Sequence, residues 1–378
     1  MLIKPRVLTP GPTALLPQGA GTPLHHRSPE FEALLGRVRE GLKAFFSTTD
    51  PVLVLACSGT GGMEAAAMAA AGPGEPVVCV NGGKFGARWV HICATLGMKV
   101  TEVAVPSGEA VTPAQVADAL KRTPGCRALF VQGCESSTGV LHPVAEIATL
   151  TRALPDCLLV VDGITWLGAH TAAVGELGLD LVVCASQKAL ALPPGLAMVS
   201  VSARARRRMQ QVLPRSCYLD LRRELEAQAR NQTAFTPAIS LVAQLDESLR
   251  WVAENTLARL VANAALLAEM TRAAAGAMDL RLFARRPANS ITALEMPANV
   301  DAGRVAAALR ERFGLLVSDG QDSLKGRLLR VAHLGYCDYA DTLALVAGLE
   351  TVLPQFGHKV APGRGLAAAQ RVLAGAKP

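Results

Sequence analysis

Aromatic side chains make up only 4% of the 378 residues, so the core has to be built from aliphatic groups. An aromatic ring beside a polar loop is then a candidate for a placed, functional group, and Phe85 and Trp166 stand out on that count. The nine cysteines are odd in number, scattered and without a CxxC pair. They suggest neither a disulfide framework nor a zinc ribbon, and no metal is expected; Cys57, Cys79, Cys134 and Cys184, in or beside apolar runs, read as buried reduced thiols. No uncharged apolar run reaches the length of a bilayer span, because Asp162, Lys188 and paired prolines interrupt the best ones. The opening Met1–Pro12 carries Lys4, Pro5 and Arg6 without an apolar stretch after them, so no secretory signal is read there. A soluble, cytoplasmic protein with no membrane partner is the expectation. A phosphate-loop lysine is missing, as is a GxGxxG run with an acid about 20 positions on, which disfavours a dinucleotide-binding dehydrogenase. No internal repeat is present.

What is abundant is apolar and small. Hydrophobic residues make up 50% and charged residues 18% of the chain, which excludes a disordered or collagen-like polymer and favours a globular enzyme. The formal charge of +7 suits anionic cofactors and substrates as well as nucleic acid. The one dense basic cluster, Arg204, Arg206, Arg207 and Arg208, has no interleaved aromatics for base stacking and reads as a solvated helix face, so no nucleic-acid partner is expected.

Short apolar runs at Val52–Ala56, Val77–Val80, Ala128–Gln132, Leu158–Val161, Leu181–Cys184 and Ala197–Val201 read as strands. Helical stretches alternate with them, clearest at Glu64–Ala71, Ala87–Leu96 and Thr112–Lys121, the last opening on a Thr-Pro N-terminus. Strands apolar on both faces predict an α/β fold with a mostly parallel sheet sandwiched by helices. After Thr236-Pro237 a long helical region runs to about Ala275. Strands at Ile291–Met296 and Leu328–Val331, with helices at Ala302–Phe313 and Asp341–Leu353, then predict a smaller C-terminal α+β domain. The division reads as an N-terminal arm (1–20), a large domain (21–255), a small domain (256–357) and a tail (358–378).

Three features carry chemistry. Ala56-Cys57-Ser58-Gly59-Thr60-Gly61-Gly62 joins a strand to a helix, and its small residues, hydroxyls and helix N-terminus suit a phosphate. Asp162 ends an apolar strand, where a carboxylate needs a cation or good hydrogen bonds. Lys188 lies between apolar stretches, which favours the neutral amine. Phosphate loop, acid and amine occur in the order and at the strand ends where open α/β sheets bind ligands. Pyridoxal phosphate requires all three. Arg330, in the apolar run Leu328–Val331, is a fixed cation suited to a substrate carboxylate.

These motifs resemble the class V aminotransferases, the group of fold-type I pyridoxal-phosphate enzymes that contains alanine–glyoxylate and serine–pyruvate aminotransferases. The resemblance spans roughly Thr9 to Leu353. It rests on Thr9-Pro10-Gly11-Pro12-Thr13, Ser58-Gly59-Thr60-Gly61, Asn81 to Trp89, Glu135-Ser136-Ser137-Thr138-Gly139-Val140, Asp162-Gly163-Ile164-Thr165, Ser186-Gln187-Lys188-Ala189-Leu190 with Pro193-Pro194-Gly195, and Arg330 with His333-Leu334-Gly335.

The resemblance implies Lys188 as the Schiff-base lysine and acid/base, with Asp162 on the pyridinium nitrogen. Ser58, Gly59, Thr60 and Gln187 would hold the phosphate, Ile164 and Phe85 the two ring faces, and Ser137 the cofactor O3′. Thr236 would reach the neighbouring subunit's phosphate in a homodimer. The implied reaction is ping-pong transfer of an amino group from a small L-amino acid, alanine or serine foremost, to glyoxylate or pyruvate. A cysteine desulfurase-like lyase and a non-catalytic pyridoxal-phosphate-binding protein are the alternatives.

Two departures stand out. Asn81-Gly82-Gly83-Lys84-Phe85 has one glycine more than the family's Asn-Gly-x-Phe. Trp166 stands where a small residue is expected, and either narrows the substrate pocket or fills core. His25, His26 and Arg27 either border the entrance or lie on the surface.

Overall fold

The computed structural model describes residues 6–10 and 24–376; most of the expected N-terminal arm, and Gly11 to Thr13 of the first motif, lie outside them. Seven strands, Val52–Leu55 (β1), Pro76–Asn81 (β2), Lys99–Ala104 (β3), Ala128–Gln132 (β4), Leu158–Asp162 (β5), Leu181–Ala185 (β6) and Ala197–Val201 (β7), form one sheet in the order β1-β7-β6-β5-β4-β2-β3. Only β7 runs antiparallel to its neighbours, β1 and β6; the other pairs are parallel.

The sheet is covered on both faces. Along β5, Leu159 and Val161 join one apolar cluster while Leu158 and Val160 join the other, as the two-residue period of a strand requires. One cluster takes Phe31, Leu35, Val116, Ile147 and Leu245 from covering helices, the other Met63, Ala66 and Trp89.

Two departures from the sequence pattern have local causes. β3 lies at the sheet edge with Lys99, Glu102 and Ala104 exposed, so it lacks the continuous apolar run that marks the others. The first crossover helix spans Gly59–Ala70, starting before the expected Glu64, because Ser58 caps it by accepting from Gly61 N at 3.4 Å. That cap turns a glycine-rich stretch of poor helix propensity into the first helical turn.

The basic cluster needs correcting. On the helix Ala203–Met209, Arg204 pairs with Asp180 at 3.4 Å, Arg206 with Asp50 at 3.2 Å, and buried Arg208 with Glu75. Only Arg207 of the four is exposed. The cluster clamps the helix to the sheet instead of forming a solvated face.

The long helical region is two helices, Ile239–Asn255 and Leu257–Ala277, parted at Thr256 with φ 63°. Beyond it, Arg281–Leu282 (β8), Ile291–Glu295 (β9), Ser318–Asp319 (β10) and Leu328–Ala332 (β11) make an antiparallel sheet in the order β8-β9-β11-β10. Helices Ala302–Phe313 and Tyr339–Val352 close a separate core over it. The helix Arg364–Gly375 belongs to that core: Ala369 is buried in it, and the Glu350 carboxylate accepts from the N–H groups of Gly363, Gly365 and Leu366. Among the described residues no helix is long and apolar enough to cross a membrane.

Candidate active site

The chemistry-bearing residues gather beyond the carboxyl ends of β1, β2, β4, β5 and β6, where open α/β sheets bind ligands. Asp162 is the last residue of β5 and is buried. One of its oxygens accepts from Ile164 N at 2.9 Å, and the other accepts from no described residue. Burial pushes its carboxyl up to about 6, helped by the charge of Glu135 and opposed by the Ile164 bond, Lys188 and Arg88.

Lys188, in the turn after β6, is buried and donates to the Pro10 carbonyl. Burial lowers its ammonium to about 8; Asp162 is the main opposing influence, and Arg330 adds to the fall. Gln187 beside it is half-buried.

At the start of the first crossover helix, the N–H groups of Gly59 and Thr60 have no acceptor among the described residues. Gly59 packs so closely on Ile164 that a Cβ would stand 2.6 Å from Ile164 Cδ1. Ile164, two residues after Asp162, is therefore packed against the start of the phosphate-loop helix. Thr60 Oγ1 accepts from Arg88 Nη1 at 3.0 Å, and the Arg88 guanidinium lies 4.8 Å from the Phe85 ring centroid.

Glu135, to which the sequence motif assigns no role, has one in the structure. It is fully buried just beyond β4, and its carboxylate accepts from Phe85 N at 3.1 Å, Gly86 N at 2.9 Å, Ser137 N at 3.1 Å and Ser137 Oγ at 2.6 Å. The helix Lys84–Thr95 has no cap of its own, so Glu135 satisfies its free N–H groups from across the fold. Ser137 Oγ also accepts from Lys84 N at 3.1 Å. With its proton committed to Glu135, Ser137 can face a cofactor only as an acceptor.

The extra glycine now has a reason. A Cβ on Gly83 would lie 2.6 Å from Ser137 Oγ and 2.8 Å from Glu135 Cδ. Gly83→Ala is expected to cost about 1–3 kcal/mol of stability through this overlap; an unchanged melting temperature would count against it.

Arg330 on β11 is buried. Its Nε and Nη2 donate to Asp319 O at 3.0 and 2.8 Å, and its Nη1 to Ser136 O at 3.1 Å. Among the described residues it makes no ion pair.

The remaining candidates lie elsewhere. Thr236 is exposed, in a shallow depression with Ala56, Tyr218 and Phe235, and bonds to none of the other site residues. Arg27 donates to Thr233 O, with His25 and His26 beside it at the surface. Trp166 is buried against Gly133, where a Cβ would stand 2.4 Å from its ring, so it fills core. All nine cysteines are free thiols; Cys57, read as buried, is only partly so, and Cys217 alone is exposed.

The Aminotransferase class-V family model matches residues 16–336. The chain belongs to the class V aminotransferase family. A soluble hydrogenase small subunit of Synechococcus sp. is 36% identical over 97% of this chain and 96% of its own length. The L-aspartate–glyoxylate aminotransferase of Paracoccus denitrificans is 32% identical over 96% and 95%. The crystal structure of pyridoxamine–pyruvate aminotransferase from Mesorhizobium loti superposes with a TM-score of 0.92 at 28% identity, covering 98% of this chain and 97% of that one.

This class V aminotransferase is thus a fold-type I transaminase that depends on pyridoxal phosphate. The residues present fit that cofactor on chemical grounds. The orphaned N–H groups at the helix start suit a phosphate, the unshared Asp162 oxygen suits a protonated ring nitrogen, and a buried amine shifted to about 8 suits an aldehyde.

Proposed function

We propose that this class V aminotransferase moves an amino group from a small L-amino acid, alanine or serine foremost, to glyoxylate or pyruvate. It would act as a cytoplasmic homodimer in which Thr236 serves the partner's site. The observation that carries the reading is Arg330: one fixed guanidinium, held by carbonyls and in no ion pair with a described residue, close enough to Lys188 to lower its pKa. A single such cation matches the single α-carboxylate of a small donor.

Ser58, Gly59, Thr60 and Gln187 would hold the cofactor's phosphate, Ile164 and Phe85 its ring faces, Asp162 the proton on its ring nitrogen, and Ser137 would accept from O3′. When bound, pyridoxal phosphate supplies the electron sink for the carbanion left on removal of a Cα proton. Lys188 Nζ, neutral, takes that proton and as an ammonium gives it back. Asp162, ionised, keeps the ring nitrogen protonated, and Arg330 orients the α-carboxylate.

The lowered lysine sets a pH dependence. Only the neutral amine attacks an aldehyde, so capture of pyridoxal phosphate by the apoenzyme is expected to rise with pH around a midpoint near 8, well below that of an ordinary lysine. Because the Asp162 anion favours the ammonium, Asp162→Asn is expected to move that midpoint lower still. A midpoint near that of a free lysine would contradict the burial argument.

The Paracoccus relative, by its name, uses aspartate, so aspartate is the second reading. It demands a second cation for the side-chain carboxylate. Visible spectra recorded while alanine, serine and aspartate are added one at a time decide between them: loss of the lysine-bound band with alanine or serine supports the proposal, and loss with aspartate alone replaces it. Sulfide release from cysteine would instead indicate the lyase. No change with any amino acid would indicate a binding protein without turnover.

A further inference from the structure

On the helix Ala203–Met209, Arg204, Arg206 and Arg208 are each paired with a carboxylate. Arg88 is different. Half-buried on the helix Lys84–Thr95, it makes no ion pair among the described residues, and its contacts are Thr60 Oγ1 at 3.0 Å and the Phe85 ring at 4.8 Å. A partly desolvated guanidinium that feels the Asp162 carboxyl through its charge but has no carboxylate in ion-pair contact, next to the unpaired N–H groups of Gly59 and Thr60, is an incomplete electrostatic arrangement, and an anion completes it.

We propose that Arg88 is a positioning residue for the cofactor's phosphate: it donates to Thr60 Oγ1, so that the Thr60 proton is left for a phosphate oxygen, and it adds its charge to the helix N-terminus. The proposal rests on the reading of Ser58, Gly59 and Thr60 as the phosphate cradle. A hydroxyl has one proton and two acceptor sites. With one acceptor site held by Arg88 Nη1, the Thr60 hydroxyl is kept from rotating its proton toward that side, and no described residue accepts the proton. Two backbone donors, one hydroxyl donor and one cation then surround the same helix end. The ring contact gives Arg88 a second duty, bracing Phe85, which the test has to separate from the first.

Apoenzyme of the parent and of Arg88→Gln, Arg88→Lys and Thr60→Val would be titrated with pyridoxal phosphate and, separately, with pyridoxal, which lacks the phosphate. The visible band gives affinity, and inorganic phosphate serves as competitor. Arg88→Gln is expected to weaken pyridoxal phosphate by about tenfold to a hundredfold, the range of a charge-assisted hydrogen bond, while changing pyridoxal by less than about twofold, and to blunt competition by phosphate. Arg88→Lys, which keeps the charge and loses the fork, should fall between Arg88→Gln and the parent.

Unchanged pyridoxal phosphate affinity in Arg88→Gln would overturn the proposal. So would equal weakening of both ligands, since that would place the effect on Phe85 alone. If the parent itself binds pyridoxal as tightly as pyridoxal phosphate, and Thr60→Val changes neither, the cradle reading fails first and the role of Arg88 falls with it.

Discussion

Lys188→Ala is expected to lower the rate of each half-reaction by about a thousandfold or more while leaving the fold intact. A positioned general acid/base contributes roughly 10²–10⁴ in rate, and here the same amine is also the group shaped by burial to meet an aldehyde. Lys188 Nζ donates to the Pro10 carbonyl and lies in the field of Asp162. The variant should still bind pyridoxal phosphate, because the helix N-terminus and Asp162 remain, but without the lysine-bound visible band. A small amine such as methylamine, entering the vacated space, should restore part of the rate. Retention of parent-like turnover by Lys188→Ala would remove the central assignment.

How far the site could be read from the chain depends on how local each interaction is. β4 and β7 have the limits their sequence implies, Ala128–Gln132 and Ala197–Val201, because they are covered on both faces and so are apolar apart from Gln132 and Ser200. β3 is not legible as a strand because at the sheet edge it carries exposed Lys99 and Glu102 in place of a continuous apolar run. Asp162 and Lys188 were conspicuous as charges set in apolar runs. Glu135 offered the same signal, a carboxylate following an apolar strand, but its partners Phe85 and Gly86 are 50 and 49 residues away, and no local pattern points to them. The arginine cluster was misread for the same reason: Asp50, Glu75 and Asp180 come from three different parts of the chain. Gly83 and Trp166 looked like departures from a family pattern, yet each is explained by a partner, Glu135 in one case and Gly133 in the other. Burial is written in composition; pairing between distant charges is decided by topology.

Arg330→Leu is expected to lower kcat/KM for amino and keto acids by about tenfold to a hundredfold, mostly through KM. A guanidinium carries five N–H donors. Nε, one N–H of Nη2 and one of Nη1 are held by the carbonyls of Asp319 and Ser136, which leaves one N–H on each terminal nitrogen. Two remaining donors on adjacent nitrogens are what a carboxylate accepts in bidentate fashion, at about 1.5–3 kcal/mol for a hydrogen bond to a charged group. Because both the donor and the acceptor substrate carry that carboxylate, both half-reactions should suffer alike. Arg330→Lys should recover little, since an ammonium cannot hold the Asp319 and Ser136 carbonyls and present a fork as well. The control is an amine without a carboxylate, such as ethylamine: its slow reaction should be unchanged in Arg330→Leu, because it never used the guanidinium. Equal losses with alanine and ethylamine would make Arg330 a structural tie between β10, β11 and the Ser136 segment. An unchanged KM for alanine would place the substrate carboxylate elsewhere.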